Sequence, residues 1–329
     1  MFTLYIKEIG GQTTFFKKYF KTINIEKINN GYIFTMLFHI NRKREEISLL
    51  NKIFYNLVIK KIKKFIIENS IEGIVVSREL IKNDYFMQQL KSKKKQDSIE
   101  KVNNNKNINI DFNKIKLIDG SILFEYMAYD VVKYIMKIQN KECNLEDIYI
   151  LINNFNKHDI IENILFFISK FRNVNIITEN INEFKKIEEK IYKETGIYVT
   201  VSNNKRKSLK RAKYIINIDF GENINRFNLY RKAIVIDSKK YNIKNFEGIK
   251  ITNFDIDVCE EIKDYFRKYN LLNITNLAIL YETTINKNDK FMDVRKIIKD
   301  SEIIVTKLYG NNGVIDENEY KQLNLNNYS

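Results

Sequence analysis

Apolar residues in this chain recur with two different periods, and the switching between them predicts its elements. Residues 2–9 and 32–40 (YIFTMLFHI) read as strands, with Asn29, Asn30 and Gly31 as a turn signal before the second. Between them FFKKYFK is short and amphipathic. Over residues 45–68 the period changes. Ile47, Leu50, Ile53, Phe54, Leu57, Val58 and Ile62 recur at three and four residues, which predicts an amphipathic helix. Its opposite face carries Lys52, Lys60, Lys61, Lys63 and Lys64. IEGIVVS (71–77) reads as a compact strand, and a helix feeding such a strand is an α/β habit. Asp119 and Gly120 precede a long helical pattern ending near Asn140.

The regular alternation begins after that helix. Strands are predicted at 147–153 (DIYILIN), 174–178 (VNIIT), 197–202 (IYVTVS), 214–219 (YIINID), 233–237 (AIVID) and 248–252 (GIKIT). Helices are predicted at 159–171 and 182–194, with a short basic one at 208–212. Gly196 supplies a helix stop in the left-handed conformation. Strands this apolar, separated by helices, should be parallel and covered on both faces. The expected fold is therefore α/β, with a Rossmann-like doubly wound sheet in the C-terminal half and a smaller N-terminal α/β domain. Strand order 3-2-1-4-5-6, counted from 147, is the expectation. The domains are expected at 1–118 and 119–329. Residues 88–116, with eight lysines against three acids, read as a lysine-rich loop near the boundary. Beyond 252 the pattern predicts helices at 257–270 and 289–300, a helix or strand at 273–281, and a strand-like segment at 302–309. The last residues, 318–329, are expected to fray.

Composition narrows the function classes. Of the 329 residues, 44% are hydrophobic and 29% charged, enough to build a core and too balanced for general disorder. Cys143 and Cys259 cannot make a disulfide framework, and His39 and His158 are too few for a histidine-rich metal site. No window of eighteen apolar residues occurs, and the start lacks a signal-peptide core, so no transmembrane insertion and a cytoplasmic location are expected. The balance of 56 basic and 41 acidic residues gives a net charge of +15. A chain crowded with Lys, Asn and Ile, and lacking Pro and Trp, carries the stamp of an AT-rich genome. Part of the positive charge is then compositional, and a nucleic-acid partner is raised as an alternative without being favoured.

The chemistry test falls on the turn after the first strand of the alternation. Dinucleotide-binding domains need glycines there, so that the backbone can approach a pyrophosphate. Here stand Asn153, Asn154, Phe155, Asn156, Lys157 and His158, with no glycine. Asn154, Asn156 and His158 remain candidate cofactor contacts. Asp159, a natural N-cap, competes for the same amides. Glu179, directly after the second strand, sits where a ribose-binding acid is often found, although helix starts favour acids anyway. Lys205, Arg206, Lys207, Lys210 and Arg211 follow the third strand and form a candidate anion-binding patch, or else a solvated rim. Tyr129 and Lys133 form Tyr-x-x-x-Lys on a helix, a spacing some reductases use for proton transfer, but a chain with 20 tyrosines and this much lysine supplies one such pair by chance. No nucleophile elbow, P-loop or HExxH motif occurs. Cys259, at a helix start beside Glu260 and Glu261, reads as a structural thiol.

Over roughly residues 120–252 the order of parts is similar to shikimate dehydrogenases and methylene-tetrahydrofolate dehydrogenases. That resemblance implies an N-terminal α/β catalytic domain, a connecting helix and a Rossmann domain. The families' glycine-rich loop is absent at 153–158, and their catalytic lysine and aspartate find no matching positions. The chain looks more like a protein of low-GC, clostridium-like bacteria that kept the architecture after losing cofactor chemistry. The leading expectation is a non-catalytic structural, regulatory or ligand-sensing protein with no cofactor, working with a protein partner or as a homodimer. The alternatives are an NAD- or NADP-dependent oxidoreductase with a nonstandard phosphate loop, and a nucleic-acid-binding protein.

Overall fold

The computed structural model describes residues 3–9, 23–29, 31–37, 49–92, 115–154, 164, 166–239, 241–285 and 290–325. The chain divides into two compact units. One comprises Met1–Asp119 with Lys263–Asn286, and the other Gly120–Ile262 with Lys287–Ser329.

The first unit is a mixed sheet of β1 (Thr3–Ile9), β2 (Ile23–Ile28), β3 (Gly31–Leu37), β4 (Gly73–Val76) and β5 (Lys116–Leu117), in the order β2-β3-β1-β4-β5. Only β2 runs antiparallel to its neighbour. Gly31 pairs with Thr3, and a Cβ there would lie 1.9 Å from the Thr3 carbonyl oxygen, so the close approach of β1 and β3 requires glycine. One face of the sheet carries Leu4, Ile6, Phe34, Ile74 and Val76. They pack against α1 (Leu49–Glu68) through Tyr55, Val58, Ile59, Ile62 and Ile66. This buried stripe differs from the one the spacing suggested, because Ile53 and Leu57 are 51% and 58% exposed. The helix is apolar on more than one side, so spacing alone does not pick out the buried one.

α2 (Arg78–Ile81) and α3 (Asp84–Lys91) follow β4. Residues 88–91, expected in the lysine-rich loop, are instead the last turn of α3. Asn83 caps this helix by accepting the Phe86 N–H at 2.9 Å. At the other end Lys63 donates to the carbonyls of Gln89 and Ser92, both at 3.0 Å. Residues 93–114 of the expected loop lie outside the described residues.

The second unit opens with two helices, α4 (Ser121–Tyr126) and α5 (Ala128–Ile138). The long helix expected here is broken at Met127, whose φ of −96° and ψ of 12° leave the helical range. Then come β6 (Asp147–Leu151), β7 (Asn173–Ile177), α6 (Ile181–Thr195), β8 (Thr200–Ser202), α7 (Lys205–Leu209), β9 (Tyr214–Asn217), β10 (Ile234–Ile236) and β11 (Ile249–Ile251). Gly196 ends α6 at φ +69°, in the left-handed conformation its position called for. The six strands are parallel in the order β11-β10-β9-β6-β7-β8. Counted from β6 this is 3-2-1-4-5-6, the doubly wound Rossmann-like order.

Burial explains why these strands stand out in the sequence. Tyr214–Asn217, Ile234–Ile236 and Ile249–Ile251 are buried on both faces. Leu151, Ile177, Ile215 and Val235 share one core with Leu209, Phe220 and Ile224. On the other face the Tyr214 hydroxyl donates to Gln139 at 2.6 Å, just beyond α5. Strand β8 is shorter than expected, since Ile197 and Tyr198 are 44% and 69% exposed.

After β11 the chain adds β12 (Asn253–Asp257), α8 (Glu260–Lys268), α9 (Leu277–Glu282), α10 (Phe291–Asp300), β13 (Ile304–Gly310), β14 (Gly313–Val314) and α11 (Glu317–Leu325). β12, β13 and β14 form a small antiparallel sheet. Part of the tail expected to fray is the helix α11, anchored by the buried Tyr320, whose carbonyl accepts from Gln139 at 3.0 Å.

The linear reading keeps 263–286 with the second domain, whereas this segment belongs to the first unit. The reason lies in the second face of the first sheet. Tyr5, Ile33 and Val75 are neighbours on that face and are buried. The Tyr5 hydroxyl donates to Thr283 Oγ1 at 3.0 Å, and burial pushes its pKa up to about 12. Lys116 Nζ meets the buried Glu282 at 2.7 Å, and the Arg78 N–H donates to the Ile274 carbonyl at 3.3 Å.

Candidate functional site

In a parallel sheet all strands deliver their following loops to one edge, and doubly wound folds take ligands there. In the second unit the described loops at this edge are hydrogen-bonded to one another. The backbone N–H of Asn153, two residues beyond β6, donates to both carboxylate oxygens of Asp219 at 2.8 and 3.0 Å. The Asn154 N–H donates to Asp219 Oδ2 at 2.6 Å. Asp219 lies two residues beyond β9, held in place by the Ile218 N–H on the Leu151 carbonyl at 3.0 Å. These amides lie in the turn where a Rossmann domain offers its backbone to a phosphate, and here they hold an internal carboxylate.

Asparagine side chains stitch the neighbouring loop to the same point. Asn153 Oδ1 accepts the Glu179 N–H at 2.8 Å, and Asn180 Nδ2 donates to the Asn153 carbonyl at 2.6 Å. Glu179 itself is paired with Lys205, Nζ to Oε1 at 2.6 Å. That hydrogen bond and charge, with Arg226 farther off, hold the Glu179 carboxyl below its ordinary pKa. The Lys205 ammonium also lies 5.5 Å from the Phe220 ring centre and 5.7 Å from that of Phe227. The acid expected to meet a ribose therefore already has a cationic partner. Asn204 accepts the Lys207 N–H at 3.1 Å and starts α7 at Lys205, earlier than the predicted 208. Arg206, Lys207, Lys210 and Arg211 are exposed around this short helix.

Deeper under the edge lies a polar cluster that the sequence reading missed. Asn217 Nδ2 donates to Asp237 Oδ2 at 2.6 Å and stands 2.8 Å from the Tyr241 hydroxyl. That hydroxyl donates to Asp237 in a short hydrogen bond. Lys250, in the middle of β11, donates to the carbonyls of Lys239 and Tyr241 at 2.6 and 2.9 Å. All four residues are buried. Burial raises the Asp237 pKa and lowers that of Lys250 to about 8. One signal was visible: a lysine between Ile249 and Ile251 interrupts a strand whose neighbours read as buried on both faces.

Tyr129 and Lys133 share α5 in a different setting. The Tyr129 ring makes edge contacts with Phe166, Phe167 and Phe171, at centroid distances of 5.3, 6.5 and 6.1 Å. Burial raises its pKa, and the Cys143 thiol adds to the shift. Lys133 acts electrostatically on the same thiol. Of the other candidates, Asn156 and His158 lie outside the described residues, as do Phe155, Lys157, Asp159 and His39. Among the described residues no group of three or more His, Cys, Asp or Glu side chains is arranged to hold a metal ion. No helix among them is long and apolar enough to cross a membrane.

No protein-family model matches the chain, and no curated protein matches it. Solved structures resemble it only at a distance. Shikimate 5-dehydrogenase from Listeria monocytogenes, solved with shikimate and NAD, is 10% identical with a TM-score of 0.28. The match covers 50% of this chain and 61% of that one, so it spans less than two thirds of the dehydrogenase. Ornithine transcarbamoylase from Giardia lamblia is 8% identical with a TM-score of 0.26, over 75% of each chain. Likeness at this level carries no argument about activity. The α/β assignment rests on the strand order and register given above.

Proposed function

We propose that this protein is a non-catalytic structural, regulatory or ligand-sensing component built on a Rossmann-like domain whose dinucleotide edge is closed from within. The observation that carries this reading is the Asp219 carboxylate on the Asn153 and Asn154 amides. A pyrophosphate approaching those donors meets a fixed negative charge in the place it would occupy, and repulsion replaces attraction. The pairing of Glu179 with Lys205 supports the same reading, because a ribose hydroxyl must compete with an ammonium for the carboxylate. The protein then works in the cytoplasm through a protein partner or as a homodimer. Calorimetric titration of the full chain with NAD and NADP, at low and moderate salt, tests this. The expected result is no saturable heat. Saturable binding insensitive to salt overturns the proposal and favours an oxidoreductase with a nonstandard phosphate loop.

A second reading draws on the exposed Arg206, Lys207, Lys210 and Arg211 around α7. A nucleic acid would take them as phosphate contacts, and its affinity would fall steeply with salt. Gel-shift titration with single- and double-stranded oligonucleotides, repeated at rising salt, separates the two readings.

A further inference from the structure

The buried cluster beneath the edge joins the two loops that leave β9 and β10. Asn217, the last residue of β9, is bonded to Asp237, immediately after β10, and also accepts the Phe220 N–H at 3.1 Å. Asp237 in turn accepts the Lys239 N–H at 2.8 Å. Lys250 reaches across from β11 to two carbonyls of the second loop, its Nζ 3.3 Å from the centre of the Tyr241 ring. Asn311, after β13, donates to that same Tyr241 carbonyl at 2.9 Å. The loops are thus fastened by groups whose charge changes with pH, in a place where water is excluded.

We propose that Asn217, Asp237, Tyr241 and Lys250 form a pH-responsive latch on the loops after β9 and β10, gripping more firmly as the medium turns alkaline. The sign follows from what the latch does to its lysine. An ammonium enclosed by carbonyls and an aromatic ring still loses more hydration than it recovers, so the closed latch favours the neutral amine. The lysine of the closed latch gives up its proton near 8, and that of an opened loop near its ordinary 10.5. Below about 8 both states are protonated and the closed state bears the full cost of the buried charge. Between those two values the cost is relieved, by up to about tenfold in the closing equilibrium per pH unit.

The groups that oppose or assist this shift can be named. Asp237 and Glu222 favour the charged amine and moderate the effect, and the Tyr241 hydroxyl, whose pKa burial pushes up, keeps its proton in the closed latch and so opposes closing above its ordinary 10. Lys239 acts on Asp237. On β13, which lies beside β11, Lys307 is exposed and the Tyr309 hydroxyl is bonded to Asp255. Because Asn217 lies two residues before Asp219, the latch also steadies the carboxylate that closes the edge.

Two measurements on the full chain test the latch. The first is tryptic nicking at Arg226, Arg231, Lys232 and Lys244, which stand in the fastened loops. Its rate relative to that of an unstructured peptide should fall at least tenfold between pH 7.5 and 9.5. An unchanged or rising ratio overturns the proposal. In Lys250→Met the ratio should lose its pH dependence. Should that variant fail to fold, the second measurement decides on the wild type alone. In protein labelled with 13C at lysine Cε, one resonance should titrate near 8. A spectrum in which every lysine titrates above 10 overturns the proposal as well.

Discussion

Replacing Asp219 by alanine isolates the interaction that closes the edge. The substitution removes three contacts, two to the Asn153 amide and one to the Asn154 amide, at 2.6 to 3.0 Å. The two amides do not lose equally. Asn153 is half-buried, so its N–H forfeits a charge-assisted bond with incomplete replacement by water, at about 1.5–3 kcal/mol. Asn154 is exposed, and water takes over most of its bond, leaving roughly 0.5 kcal/mol. The expected loss is therefore about 2–3.5 kcal/mol, or roughly 4–14 °C in Tm for a domain of this size. The chain has no tryptophan, so urea unfolding is best followed by far-ultraviolet circular dichroism. The midpoint should fall at constant slope. Asp219→Asn, which keeps one acceptor oxygen, should recover part of the loss. A drop below about 0.5 kcal/mol in the alanine variant would show that water serves these amides as well as the carboxylate does, and the closure would then carry no energetic weight.

Further outcomes follow from other contacts. Gly196→Ala places a Cβ at φ +69° with no atom within 4 Å, so backbone strain alone should cost about 1 kcal/mol in thermal unfolding. Lys63→Met strips α3 of its two C-terminal bonds and should cost about 1–2 kcal/mol, read as lost helicity near residue 91 by hydrogen exchange. The Tyr320 hydroxyl is buried and finds no hydrogen-bond partner among the described residues, so Tyr320→Phe should be neutral or stabilising by up to about 1 kcal/mol; a clear loss in chemical denaturation would reveal a hidden acceptor. Tyr5 holds its proton up to about 12 in the folded state, so its contribution is intact below 10 and is lost as pH rises from 10 to 12. Alkaline unfolding of the wild type should be steeper over that range than that of Tyr5→Phe.

The features legible in the sequence are those fixed by local burial. The strands at 214–217, 234–236 and 249–251 are mostly apolar because both faces of the parallel sheet are covered there, and that constraint leaves its mark on consecutive residues. Gly196 was legible for a similar reason, since only one backbone conformation ends a helix in that way. What escaped notice depends on partners distant in sequence. Asp219 stands 66 positions from Asn153, and no local pattern marks an aspartate as the occupant of another loop's amides. The missing glycines were visible, while the group that fills their place was not. Ile53 and Leu57 fit the helical period of α1 as well as the buried residues do, so spacing alone cannot choose between two apolar faces. The helix at Glu317–Leu325 is anchored mainly by Tyr320, one aromatic in a polar tail, which is too sparse a signal to outweigh the surrounding asparagines.

The first unit is not a continuous stretch of chain, and this has a consequence for how the protein can be made. Its second face, with Tyr5, Ile33 and Val75, is matched to a segment, Lys263–Asn286, that leaves the ribosome only after the whole parallel sheet of the other unit. A nascent chain therefore carries one apolar sheet face without its cover while seven further strands, β6 to β12, are synthesised. Vectorial, domain-by-domain folding is closed to this topology: the portion translated first waits on a segment made only after most of the second unit, and a fragment stopping short of that segment would expose on its surface what the full chain keeps dry.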